Sequence, residues 1–211
     1  MALTGVPGCK PAERATKNTP SATASRTTPQ GRWVFRTRPD LSPPAVYLTT
    51  EAQDTAPGYV FAAPNKAGAM IVDNSGQVVW FRPLHHAMDF KVQNYRGISV
   101  LTFEEHVYGG EQGYVILDDT YREIARVQAG NGYRGDHHEF LITPEDTALI
   151  TIYDEVSQDL SPVGGREDGV VRQGIVQELD IETGEVLFEW HSIDHVGLEE
   201  AYLRPSDSGF Q

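Results

Sequence analysis

From residue 58 onward the chain alternates short apolar runs with short polar turns, at a spacing too tight for helices. Apolar side chains recur at every second position in Val186, Phe188 and Trp190, and again in Val78 and Trp80. No long stretch repeats them at the three- and four-residue spacing of an amphipathic helix, so the pattern predicts strands. The strands come in an order that returns. Tyr59 to Ala63 and Ala69 to Val72 precede the turn Asp73-Asn74-Ser75-Gly76 and the strand Gln77 to Phe81. Gly97 to Phe103 and Gly113 to Leu117 precede the turn Asp118-Asp119-Thr120-Tyr121 and the strand Arg122 to Val127. The third copy runs from His138 to Thr143, turns at Pro144-Glu145-Asp146-Thr147, and continues from Ala148 to Tyr153. After a long loop it resumes as Ile175 to Ile181, the turn Glu182-Thr183-Gly184, and Glu185 to Trp190.

Short antiparallel strands in fours, with an Asp-x-x-Gly kind of turn before the last, are the plan of a propeller blade. A closed ring typically needs at least about four blades. The repeat supplies three. The expected fold class is therefore all-β, an incomplete β-propeller arc of about three four-stranded blades over residues 58–211. A β-sandwich or meander with hairpins of similar length fits the same spacing. Residues 1–32 are rich in Ser, Thr, Pro, Ala and Lys with few large hydrophobes, and are expected to form a disordered tail. Residues 33–57 open with Trp33-Val34-Phe35 and carry Pro39, Pro43 and Pro44. They are expected to be an extended strap against the domain.

Composition narrows the partners. With 30 acidic against 17 basic residues and a net charge of −13, the chain lacks the Lys and Arg clusters that release counterions from a phosphate backbone, so nucleic acid is excluded. Cys9 is the single cysteine, which rules out an internal disulfide and a cysteine-based zinc cage; no metal and no cofactor are expected. No apolar run approaches the roughly 20 residues that span a bilayer. Met1 to Gly8 is too broken by Gly and Pro for the apolar core of a secretory signal, so either the chain stays inside the cell or its true N-terminus is missing.

The densest candidate chemistry is Gly135-Asp136-His137-His138-Glu139, set directly before the apolar run Phe140-Leu141-Ile142. Strand hydrophobes can anchor the backbone in a sheet while the imidazoles before them stay within reach of a ligand. A solvated strand start accounts for the same residues, since the ordinary histidine pKa near 6.5 only permits acid–base work. The other histidines read as structural or solvated: His85 and His86 in a loop after Pro83, His106 beside Glu104 and Glu105, His191 and His195 around an outer strand.

Taken together, several segments resemble the arylsulfotransferase family, in its fungal and actinobacterial branch. They are Tyr95-Arg96-Gly97, Val100-Leu101-Thr102, Tyr114 to Asp118, Tyr121 to Ala125, Gly130-Asn131-Gly132, Asp136 to Phe140, Ala148 to Thr151, and Glu189 to Val196. The resemblance covers about residues 33–205 and corresponds to the N-terminal half of the family's fold. It implies a six-bladed propeller that moves a sulfuryl group from a phenolic sulfate ester to a phenol through a transiently sulfated histidine in the central channel. Its partners would be small aryl sulfates and phenols, and its location extracellular. His138 stands at the family's regular histidine and is the catalytic candidate. Asp136 and His137 would flank it, Arg134 would reach an anionic substrate, and Glu139 completes the supporting set. A neutral imidazole can attack sulfur, and neighbouring cations can neutralise the charge on the sulfuryl oxygens.

Three departures from the family pattern are visible. Asp146 stands where Gly is common, Thr102-Phe103-Glu104-Glu105 replaces a more aromatic run, and the chain stops at Gln211 where a further histidine-bearing blade is expected. The chain is thus expected to be truncated, inactive alone, and prone to self-association through exposed blade edges. Two other functions compete: a non-catalytic propeller fragment that acts by pairing with another chain, and a quinone-cofactor dehydrogenase built on similar blades. The second would lack the vicinal cysteines many such enzymes use.

Overall fold

A computed structural model describes residues 35–50, 54–106, 112–201 and 205. The expected tail over residues 1–32 lies outside the described residues. The chain is all-β, built from three antiparallel sheets that pack side by side as a partial propeller arc. The first sheet joins Tyr59–Ala62 (β1), Gly68–Asp73 (β2) and Val78–Pro83 (β3). The second joins Ala87–Tyr95 (β4), Ile98–Glu105 (β5), Gly113–Leu117 (β6) and Glu123–Val127 (β7) in sequence order. The third joins Phe140–Ile142 (β8), Thr147–Gln158 (β9), Gly169–Asp180 (β10) and Val186–His191 (β11). Strand β4 touches β1 and β2 on one side and β8 on the other, so the leading strands of the sheets lie next to one another.

The second sheet is apolar on both faces because it is covered on both. Val100, Tyr114, Ile116 and Val127 pack with Phe140, Ile150, Ile175 and Leu179 of the third sheet. The alternate residues Leu101, Phe103, Val115 and Leu117 pack with Ala69 and Ile71 of the first. This explains the unbroken burial of β6, which reads as a continuous hydrophobic run instead of an alternating one. The outer face of the first sheet, with Met70, Val72, Val78 and Phe81, is covered by Phe35, Leu41 and Val46.

Each sheet closes its last hairpin with the same device. Asp73 accepts the backbone N–H groups of Ser75 and Gln77, Asp118 those of Thr120 and Arg122, and Asp180 those of Glu182 and Thr183. Hydrogen bonds from a carboxylate to amides two to four residues on hold a turn without help from the core. Asp146, where the family pattern favours Gly, sits at φ 62°, a left-handed conformation that Asp tolerates.

The structure corrects two details of the sequence reading. Strand β4 is missing from the strands predicted above, although Met88, Phe90 and Val92 alternate with Asp89, Lys91 and Gln93 as in a half-buried strand. Those polar groups serve the neighbouring sheet: Asp89 accepts the Phe140 amide at 2.9 Å, and the Gln93 side chain accepts from Ile142 N–H at 2.8 Å and donates to the Phe140 carbonyl at 3.0 Å. The long loop expected after Tyr153 is mostly the twelve-residue arms of β9 and β10, paired from Thr147–Asp180 out to Gln158–Gly169.

Candidate functional site

The sequence Arg134-Gly135-Asp136-His137-His138-Glu139 forms the approach to β8, with His137 and His138 in a bend and Phe140 as the first strand residue. Its backbone is held from three directions. The Asp136 N–H donates to the Thr151 carbonyl of β9 at 2.7 Å, the Gln112 amide donates to the Gly135 carbonyl at 2.7 Å, and the Tyr114 hydroxyl donates to the Asp136 carbonyl. Gly135 makes the last contact feasible, since a Cβ there would collide with the Tyr114 ring and hydroxyl. Tyr114 is itself fixed by stacking on Phe140, with centroids 4.8 Å apart. The loop is therefore a supported platform.

On that platform the Asp136 carboxylate meets both histidines. Its Oδ2 lies 2.6 Å from His138 Nδ1 and accepts the His138 backbone N–H at 3.0 Å, while Oδ1 lies 3.8 Å from His137 Nδ1. A carboxylate accepts hydrogen bonds when ionised, so it holds the proton of the neutral His138 ring on Nδ1 and leaves the Nε2 lone pair for another partner. His138 is 66% exposed and open to a reactant. His137 stacks obliquely against it, with rings 4.1 Å apart. Arg134 is exposed. Glu139 does not join the cluster; it pairs with Lys91 of β4 at 2.5 Å, and Lys91 also pairs with Asp89 at 2.8 Å.

The fold adds three residues that the sequence reading set aside. His86, just before β4, lies 6.4 Å from the His137 ring and 6.2 Å from the His106 ring, and the His106 N–H donates to the His86 carbonyl at 3.4 Å. Glu104, near the end of β5 and directly opposite Tyr114, has a side chain only 1% exposed, with His86 Nδ1 3.9 Å from its Oε2. Among the described residues, neither Glu104 oxygen nor His86 Nδ1 has a hydrogen-bond partner of normal geometry, although the Gln112 side chain comes close enough to Glu104 to favour its ionised form. Burial pushes the Glu104 carboxyl up to about 7; Gln112 and Arg134 draw it back in part, and the charges of Asp136 and Glu105 push it further up. Burial also raises the Tyr114 hydroxyl, with Glu104 and Asp136 adding to the effect. The signal for Glu104 was present in the strand pattern: Val100, Thr102 and Glu104 share one buried side of β5, so an acid falls in phase with core positions.

His191 and His195 have partners of their own. His191 pairs with Glu189 at 2.8 Å and with Gln173 at 3.1 Å, and His195 stacks on Trp190 with centroids 5.2 Å apart.

A family model described as arylsulfotransferase (ASST) matches residues 91–206, more than half of the chain. The chain belongs to the arylsulfotransferase family. No curated protein and no solved structure matches it. The arylsulfotransferase match takes in Glu104, His106, Gln112, Tyr114 and the whole approach to β8, whereas His86 precedes it. One other use of the site is chemically open: Asp136, His137 and His138 each offer a ligand atom within 4.8 Å of the others. Two imidazoles and a carboxylate suit a zinc-type or related first-row cation.

Proposed function

We propose that this arylsulfotransferase chain moves a sulfuryl group from a phenolic sulfate ester to a phenol through a sulfated histidine, with His138 as the nucleophile. The observation that carries the reading is the 2.6 Å hydrogen bond from His138 Nδ1 to Asp136. With Nδ1–H held there, Nε2 has the lone pair that attacks sulfur, and the carboxylate stabilises the positive ring that results. The S–O bond of the donor breaks as the N–S bond forms, and charge gathers on the sulfuryl oxygens and on the departing phenolate. His137, stacked on His138, and the exposed Arg134 are the donors available to meet it. A phenol acceptor then takes the sulfuryl group and restores the imidazole.

The test is turnover of 4-nitrophenyl sulfate in the presence of a phenol, which also decides between this reading and the expectation that the chain is inactive alone. His138→Ala is expected to reduce the rate by at least about a hundredfold, the scale of losing one group that acts on the charge of the transition state. Turnover unchanged by this substitution would remove His138 from the reaction.

A further inference from the structure

The sulfotransfer chemistry needs a proton that neither His138 nor Asp136 supplies. A phenolate leaving an aryl sulfate must gain one, and an acceptor phenol must lose one before or as its oxygen attacks. Resting on the reading of the site as a sulfotransferase, we propose that His86 exchanges this proton with the phenolic oxygen and that Glu104 acts behind it as the residue that holds and orients the ring.

The geometry is that of an inner acid and an outer base. Glu104 is sealed in at 1% exposure, while the His86 side chain is 34% exposed and its ring lies 6.4 Å from the His137 ring. His86 Nδ1 faces Glu104 Oε2 at 3.9 Å, about 1 Å beyond the usual N–H···O separation. Both atoms are buried and unpaired among the described residues. Buried polar atoms of native proteins are satisfied in the great majority of cases, so two orphans facing each other mark a pair that closes directly or through a water. With Nδ1 engaged by Glu104, Nε2 of His86 is the nitrogen left to meet a phenolic oxygen. Tyr114 cannot take this part, because its hydroxyl is given to the Asp136 carbonyl.

The groups around Glu104 tune the pair. Asp136 and Arg134 face it from the approach to β8, Glu105 from its own strand, Gln112 from the start of β6 and Tyr114 from the opposite position on that strand, and His106 is beside His86. Asp136 and Glu105 favour the protonated pair and Arg134 and Gln112 the ionised one. The balance leaves a carboxyl that can follow the charge of the His86 ring near neutrality, as support for a group that both gives and takes a proton requires.

The proton balance closes over one cycle. In the first half, the N–S bond forms at His138, the aryl S–O bond breaks, and the pair gives its proton to the leaving oxygen, which departs as a phenol. In the second, the acceptor phenol returns a proton to the pair, its oxygen bonds to sulfur, and the N–S bond breaks. Nothing is oxidised or reduced.

The experiment compares two donors, phenyl sulfate, whose leaving oxygen is strongly basic, and 4-nitrophenyl sulfate, whose leaving oxygen is not. Glu104→Gln and His86→Gln are each expected to slow phenyl sulfate about a hundredfold more than 4-nitrophenyl sulfate, within the range of general-acid contributions, and to remove the limb of the pH–rate profile near neutrality. A structural role would slow both donors alike and leave the pH profile in place; that result overturns the proposal. Independently of turnover, nitrogen NMR should show His86 Nδ1 hydrogen-bonded in the unaltered chain and released in Glu104→Leu, and an unchanged Nδ1 signal also overturns the proposal. Failure of the unaltered chain to form a sulfated histidine with either donor would instead bring down the sulfotransferase reading itself.

Discussion

Glu104 shows how one residue couples stability to function. Its carboxyl titrates near 7 in the folded chain against an ordinary value near 4.5, because burial disfavours the charged form. A raised carboxyl stabilises the fold fully below its unfolded value, and that contribution is lost as pH rises from about 4.5 to about 7. Two and a half pH units correspond to about 3 kcal/mol. Denaturant unfolding is therefore expected to show stability falling between about pH 4.5 and about pH 7 in the unaltered chain, with a flatter profile in Glu104→Gln; equal slopes would contradict the burial argument. The Asp136, His137 and His138 ligand set yields a second expectation. A cation held there would compete for the Asp136 carboxylate that holds His138 Nδ1, so added zinc should inhibit turnover and a chelator should restore it. Activity that a chelator abolishes would point to a metal-dependent reaction. Asp136, His137 and His138 could be read from the sequence because they are contiguous polar residues in front of an apolar strand. Glu104 and His86 were not, since their closeness to His137 depends on how β4 and β5 bring distant segments together.

At the scale of the element, β4 is where the sequence was least transparent. Its side chains Asp89 and Gln93 carry out for β8 what a neighbouring strand's backbone does elsewhere, pairing with Phe140 and Ile142. The alternation of Met88, Phe90 and Val92 with Asp89, Lys91 and Gln93 marks a strand, but periodicity cannot reveal that its polar residues are satisfied by another sheet. Gln93→Leu should leave the Ile142 N–H and the Phe140 carbonyl unpaired and cost about 2 to 4 kcal/mol in unfolding free energy, one to two buried polar groups' worth. Because β8 positions the His138 loop, the same substitution should also lower turnover. A change within experimental error would mean that β8 is held without this bridge. The closing turns were legible for the opposite reason. Asp73, Asp118 and Asp180 each act within a few residues, so their pattern depends on nothing distant.

At the scale of the molecule, the two ends of the arc differ. Phe35, Leu41 and Val46 cover the outer face of the first sheet. The outer face of the third carries the cross-strand row Leu141, Leu149, Glu178 and Phe188, with Leu141 44% and Phe188 51% exposed. Tyr153 of β9 is also exposed. An apolar sheet face open to water favours association. Sedimentation velocity is expected to show concentration-dependent oligomers that Leu141→Ser with Phe188→Ser diminishes; a monomer at every concentration would contradict this. The repeat of turns revealed the three-sheet arc, but which face each sheet shares with its neighbour depends on packing, and the double burial of β6 showed only as an unbroken apolar run.

His138, held by Asp136, is the residue proposed to receive the sulfuryl group. The most direct measurement is peptide mapping by mass spectrometry after brief exposure to 4-nitrophenyl sulfate without an acceptor. One sulfuryl group is predicted on the peptide carrying His137 and His138, localised to His138, lost on adding a phenol, and absent from His138→Ala. A sulfuryl group on a different histidine, or its persistence in His138→Ala, would contradict the claim.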